Sequence, residues 1–274
     1  MNLFESTIYG FITGLTEFLP ISSKAHQDIM QHLFGTTPED PVRNLLIHIA
    51  LLLSLYTSCK SLIDHLKRQR SAQSKSNNSR NYRSQSLSDY RLIKGATVPM
   101  VLCIFLITYM IRLDSNLLLV SLFLLINSII LFVPDRMMQG NKDARSMSTL
   151  DGVIIGILAS LFSFSGISRV GCIYAVSTAR GAGHKSVLTW SLLLSIPALI
   201  AVILIDFIDI FSGTAFPFWS NLGGYFISAV AAYIGGYIGI GTLRLVLNKT
   251  NFTSFAFYSL GAALLSFILY LTVA

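Results

Sequence analysis

Charge is what this chain of 274 residues has least of. Only 12% of its side chains are charged, about half the share in an ordinary soluble domain. A soluble fold of this length could not cover its surface. Cysteine is also scarce, with three residues, Cys59, Cys103 and Cys172, far apart in sequence. That spacing excludes a disulfide scaffold and the usual metal-binding arrangements. The N-terminus has no basic stretch ahead of its apolar residues and carries Glu5 where a secretion signal is apolar. It reads as the start of the first membrane segment.

What is present is apolar sequence, at 53% hydrophobic residues and a mean hydropathy of +0.64. Apolar segments fall at roughly 3–19, 44–63, 95–112, 115–134, 150–166, 186–211, 222–247 and 252–274. Several approach the ~20 residues that a helix needs to cross a bilayer. The fold class expected is all-α, a polytopic integral membrane protein.

The net charge of +7 is not a nucleic-acid signal once it is located. Residues 64–94 hold eight Lys or Arg against Asp64 and Asp89, among Ser, Asn and Gln. Such a stretch cannot bury enough apolar area to offset its ordering entropy and is expected to be a disordered loop. Arg136, Lys142 and Arg145 make 135–149 basic too. Basic loops mark the cytoplasmic side, and two crossings, 95–112 and 115–134, return the chain to it. Their connection, near Leu113 to Ser115, then faces the other compartment.

Two places are too polar for a simple span. Gly10 to Gly35 contains Glu17, Pro20, Lys24, His26 and Asp28, and Leu158 to Lys185 contains Arg169 and Arg180. Irregular backbone at membrane depth survives only where protein or a watery cavity satisfies it, so both are expected to be re-entrant hairpins. Shifting the first by 146 residues places Leu15, Phe18, Ile21 and Ser22 on Leu161, Phe164, Ile167 and Ser168. This suggests an internal repeat, one unit at about 1–134 and another at about 150–274, with the site between them. Pro99 and Pro197 are candidate helix breaks lining that interface, or equally kinks with no role.

The ionisable residues are costly at this depth, about 2.5–3.5 kcal/mol for an Arg on insertion scales. Arg169 has the planar fork that grips phosphate oxygens in pairs; the alternative is a structural pair with Glu17. Glu17 could ligate a hard cation or relay a proton. His26 can take a proton near neutral pH, and Ser23 beside it could attack phosphorus or only hydrogen-bond phosphate. Ser22 and Ser168 are candidate hydroxyl donors. His48 is read as packing, with lining of the lipid groove as its alternative, Asp206 and Asp209 as reaching the interface, and Asp151 as sitting at a helix start.

The run Gly14-Leu15-Thr16-Glu17-Phe18-Leu19-Pro20-Ile21-Ser22-Ser23-Lys24-Ala25-His26 resembles the signature of the bacitracin-resistance family of undecaprenyl-diphosphatases. Ser165-Gly166-Ile167-Ser168-Arg169-Val170-Gly171 is similar to that family's second signature. The resemblance implies inverted repeats with two re-entrant helix hairpins in the cell inner membrane. The implied activity is removal of one phosphate from a polyprenyl diphosphate, recycling the lipid carrier of cell-wall glycan synthesis, with Mg²⁺ or Ca²⁺. It passes family roles to Glu17, Ser22, Ser23, His26, Ser168 and Arg169: Glu17, Ser23, His26 and Arg169 as catalytic, with Glu17 the metal contact, and Ser22 and Ser168 as substrate contacts. Lys24, which could bring positive charge to a phosphate or compete with the metal, and Gly171 are further candidate substrate contacts from this sequence itself. Thr13 stands where the family has Glu, Lys24 where it has Thr, Ala25 for Gly, Ser165 for Pro and Val170 for Ser. Thr13 can offer a neutral oxygen but no charge. A lipid-phosphate transporter or a catalytically silent paralogue are the rival readings, and a homo-oligomer is left open.

Overall fold

A computed structural model describes residues 1–35, 40–75, 80–111, 116–137, 140–144, 146–212, 221–249 and 252–273. Among them are ten α-helices and no strand. Six helices are long and apolar enough to cross a membrane, so the protein is an all-α, multi-pass membrane protein.

The chain runs twice through the same order of elements. Helices α1 (Leu3–Glu17) and α2 (Ser23–Leu33) form a short hairpin, followed by α3 (Pro41–Lys75), α4 (Arg80–Leu106) and α5 (Leu117–Arg136). Then α6 (Thr149–Ala159) and α7 (Arg169–Ala179) form a second hairpin, followed by α8 (His184–Ser212), α9 (Leu222–Lys249) and α10 (Thr253–Val273). At 1.5 Å per residue the hairpin arms reach at most about 22 Å, short of the ~30 Å hydrocarbon core. They enter and turn back. Three crossings separate the two hairpins, so they enter from opposite faces and meet tip to tip.

Both hairpins begin earlier than the polar clusters suggested, at Leu3 and Thr149, because each opens on a capped apolar helix. Asn2 and Ser148 cap these starts, each in a reciprocal box with Glu5 or Asp151. The helix start expected at Asp151 is therefore found.

Each hairpin is braced by the other half. Helix α1 packs on α9 and α6 on α4, while α5 pairs with α10 and the central α3 and α8 pack together. Glycine allows the two bracing contacts. A Cβ on Gly14 would lie 2.2 Å from the Ala232 carbonyl oxygen, and one on Gly156 would lie 2.0 Å from that of Ala96.

Two expectations change. The segment 64–94 is not a disordered loop where it is described: α3 continues to Lys75 and α4 begins at Arg80. Lys, Arg and Gln are good helix formers, and extending a helix already nucleated by a span costs little; residues 76–79 lie outside the described residues. Pro99 and Pro197 sit inside α4 and α8 without ending either helix. The connection expected near Leu113 to Ser115 lies outside the described residues.

Candidate active site

The hairpin tips are knitted together through backbone groups that no helix satisfies. Gly166 donates its N–H to Ser22 Oγ at 3.0 Å, and Ser168 Oγ donates to the Leu19 carbonyl at 3.2 Å. Asn127, in the middle of α5, serves both tips. Its Nδ2 donates to the Pro20 carbonyl at 3.1 Å, and its Oδ1 accepts from the Ser168 N–H at 2.9 Å. Ser165 Oγ also donates to Asp28 Oδ2. Ser22 holds a left-handed backbone, φ 58°, to make the turn, a strain that persists only where the surroundings impose it.

Beside this junction lies a cavity of about 140 Å³. Glu17, Ser22, Ser23, Lys24, Ser168 and Arg169 all line it, so six of the eight residues singled out from sequence converge. Arg169 is the first residue of α7 and is 3% exposed. Its Nη2 lies 3.0 Å from Glu17 Oε1, and its guanidinium stacks 5.0 Å over the Phe162 ring. Its Nε and Nη1 are buried and meet no hydrogen-bond acceptor among the described residues. The pair with Glu17 is real, yet it leaves most of the fork unsatisfied. A buried donor left so costs ~1–3 kcal/mol, more when charged. Lys24 brings a second positive charge and reaches the Ser163 carbonyl at 3.5 Å.

His26 and Gly171 are not in this cavity. The His26 ring bonds the Ser22 carbonyl through Nδ1 at 2.7 Å and the Tyr258 hydroxyl through Nε2 at 2.8 Å, stacked on the Tyr258 ring. It lines a separate, mostly apolar cavity with Ile12, Leu15 and Phe255. Ser23 Oγ instead donates to the Thr13 carbonyl at 3.1 Å. The expected Ser23–His26 nucleophile and base are therefore not brought together. His26 lies one turn after Ser22, and the uncapped Ser22 carbonyl captures its nearer nitrogen. Gly171 serves packing: its N–H donates to the Ser168 cap at 3.2 Å, and a Cβ there would meet Leu131 at 3.1 Å. Ser22 and Ser168 line the cavity, but both hydroxyls already bond the opposite tip.

Reasoning from sequence names the ionisable residues of the other wall but not their pairing. His48 on α3 and Asp206 on α8 line the same cavity, joined Nδ1 to Oδ2 at 2.6 Å. His48 is thus more than packing, and Asp206, 7% exposed, pairs inside the protein instead of reaching the interface. Asn44 and Asp209 line it too. An ionisable residue within a span is the available signal, but the two partners are 158 residues apart.

For a divalent cation the donor set is thin. Among the described residues no three His, Cys, Asp or Glu side chains form a group that could hold one. Thr13, the expected neutral oxygen, is fully buried and does not line the cavity. Glu17 alone fits the mode in which Mg²⁺ takes one or two carboxylates and receives its other oxygens from phosphate and water.

The family described as "Bacitracin resistance protein BacA" matches residues 6–265. The chain is 31% identical over 265 residues to a protein of Thermosipho melanesiensis named undecaprenyl-diphosphatase, covering 96% of this chain and 97% of that one. A protein of the same name from Alkaliphilus metalliredigens is 27% identical over 270 residues, covering 94% and 95%. Undecaprenyl-diphosphatase 3 of Bacillus cereus is 26% identical over 272 residues, covering 99% of both chains.

Proposed function

The chain belongs to the bacitracin resistance protein family, and from that membership and its cavity we propose a membrane phosphatase that cleaves undecaprenyl diphosphate to the monophosphate. The observation that carries this reading is Arg169. A guanidinium held in the protein interior, with Nε and Nη1 unmatched and a polar cavity beside it, suits a ligand with several anionic oxygens. A diphosphate head is such a ligand. Lys24 and the Ser23 hydroxyl add donors, and Glu17 keeps the guanidinium oriented through its 3.0 Å contact.

Phosphoryl transfer demands positioning and charge stabilisation more than covalent chemistry. Arg169 would hold the phosphate oxygens and compensate the charge that builds on them as the bridging bond lengthens. Lys24 would neutralise the second phosphate. A Mg²⁺ or Ca²⁺ ion carried in by the diphosphate would be held by Glu17 and would neutralise further charge. His26 acts at a distance in this reading, tying the first hairpin to α10 through Tyr258.

Orientation follows from charge. The described ends of α3 and α4 that carry the basic residues lie on one face, proposed as cytoplasmic together with 135–149. Asn44 and His48 near the start of α3, and Asp206 and Asp209 near the end of α8, support a cavity that opens toward the opposite face. The substrate is then taken from the outer leaflet of the cell membrane.

The test is phosphate release by the purified protein from undecaprenyl diphosphate in detergent, with Mg²⁺ or Ca²⁺ supplied. Release is expected, and Arg169→Ala should lower it by about 10²–10³-fold, the usual cost of a transition-state donor. Wild-type protein that releases no phosphate under either ion would overturn the proposal.

A further inference from the structure

The phosphatase reading leaves the proton of the attacking water without an acceptor. His26 is held between Ser22 and Tyr258, in another cavity. The cavity that holds Arg169 has its own imidazole, His48. Its Nδ1 lies 2.6 Å from Asp206 Oδ2; a carboxylate there fixes the proton on Nδ1 and leaves the basic lone pair on Nε2. Their side chains are 14% and 9% exposed, and both face the cavity. One turn earlier on α3, and so on the same face, is Asn44. It is 6% exposed and lines the same cavity, and its Oδ1 is buried with no hydrogen-bond partner among the described residues.

We propose that His48, held by Asp206, is the base of the reaction, and that Asn44 Oδ1 holds the water that attacks. Resting on the phosphatase reading, the step balances as follows. The water oxygen bonds to the terminal phosphorus while its proton passes to His48 Nε2. The bond from that phosphorus to the bridging oxygen breaks, and its electron pair leaves with the polyprenyl monophosphate. Inorganic phosphate and the monophosphate are the products, and the imidazolium returns its proton to the leaving oxygen or to solvent. Asp206 is a positioning residue. Among the described residues, the other charged groups lining the cavity are Glu17 on α1, Lys24 on α2, Arg169 on α7 and Asp209 on α8, while α4 presents Ile104 and, just beyond its end, Thr108. A dyad on two spans that pack together would explain why two ionisable residues are kept at a depth where each is costly.

The experiment is phosphate release from undecaprenyl diphosphate across pH 5–9 by the full-length wild type, His48→Gln, His48→Ala with and without imidazole, Asp206→Asn, Asn44→Ala and His26→Ala. The expected result for His48→Gln is a kcat lower by about 10²–10⁴-fold, the usual share of a general base, with KM within about twofold. Asp206→Asn should displace the acidic limb of the profile, and imidazole should restore part of His48→Ala but nothing to His26→Ala. A structural tie between α3 and α8 would move neither the limb nor the rescue. If His48→Ala does not survive purification, Asp206→Asn and Asn44→Ala decide. An unchanged acidic limb in the first together with full turnover in the second refutes the dyad. Wild-type kcat in His48→Gln, with imidazole rescuing His26→Ala, refutes it directly while leaving the phosphatase reading intact. Absence of release by the wild type overturns both.

Discussion

Replacing Asn127 by leucine is the sharpest perturbation of the hairpin junction, because it removes hydrogen bonds while keeping the branch at Cγ. Asn127 is fully buried. Its amide bonds the Pro20 carbonyl, the Ser259 hydroxyl at 3.1 Å and the Ser168 N–H. Ser259 keeps a second bond, to the Leu124 carbonyl at 3.1 Å, so it is not orphaned. Pro20 and Ser168 lose these bonds while buried. Interhelical hydrogen bonds in membranes average ~0.6 kcal/mol, so the three lost bonds set a floor of about 2 kcal/mol. Two orphaned backbone groups at ~1–3 kcal/mol each widen the expectation to about 2–6 kcal/mol, measured by unfolding in mixed micelles. Turnover should fall further than stability. Asn127 fixes the tips that carry Glu17 and Arg169, and a displacement near 1 Å costs about 10²-fold. Asn127→Asp should be at least as destabilising, since it points an oxygen at the Pro20 carbonyl and buries a charge without a cationic partner. An Asn127→Leu protein within about 0.5 kcal/mol of wild type and with full phosphate release would refute the claim that this amide holds the junction.

Ser22 offers a contrast between backbone and side chain. Ser22→Ala keeps the left-handed φ of 58° and removes the acceptor for the Gly166 N–H, so a loss of ~1–3 kcal/mol is expected. Ser22→Gly removes the same acceptor but relieves a strain of similar size, and should unfold closer to wild type; the reverse order would refute the strain. Glu17→Gln leaves the Arg169 guanidinium without its carboxylate and should cost ~3–5 kcal/mol. Millimolar inorganic diphosphate should recover part of that loss, read as a ligand-dependent shift in the unfolding midpoint. Gly156→Val puts methyl groups against a carbonyl oxygen that a Cβ would already approach to 2.0 Å, and should sharply reduce the yield of monodisperse protein.

The two broken segments were legible because Glu17, Lys24 and Arg169 interrupt apolar runs where charge is expensive. The repeat was legible because Leu15, Phe18, Ile21 and Ser22 carry over to the second half. Local adjacency misled at Ser23 and His26. Three residues apart on a helix they are neighbours, yet the Ser22 carbonyl and the Tyr258 hydroxyl take both imidazole nitrogens. The Asn127 clamp could not be read at all. It is one of two polar residues in Leu124-Leu125-Ile126-Asn127-Ser128-Ile129, and the backbone groups it serves are 107 and 41 residues away. Basic composition also misjudged 64–94, where helix propensity carries the backbone outward from its spans.

The exchanged bracing of the two halves has a consequence for synthesis. Helix α1 leaves the ribosome first, yet the groove that receives it, where a Cβ on Gly235 would lie 2.3 Å from the Phe11 carbonyl oxygen, belongs to α9. The opening hairpin must therefore wait, unlocked, until nearly the whole polypeptide has been threaded into the bilayer. Catalytic competence arrives last, and a nascent chain stalled before residue 222 carries every signature residue while lacking the shelf on which the first of them rests.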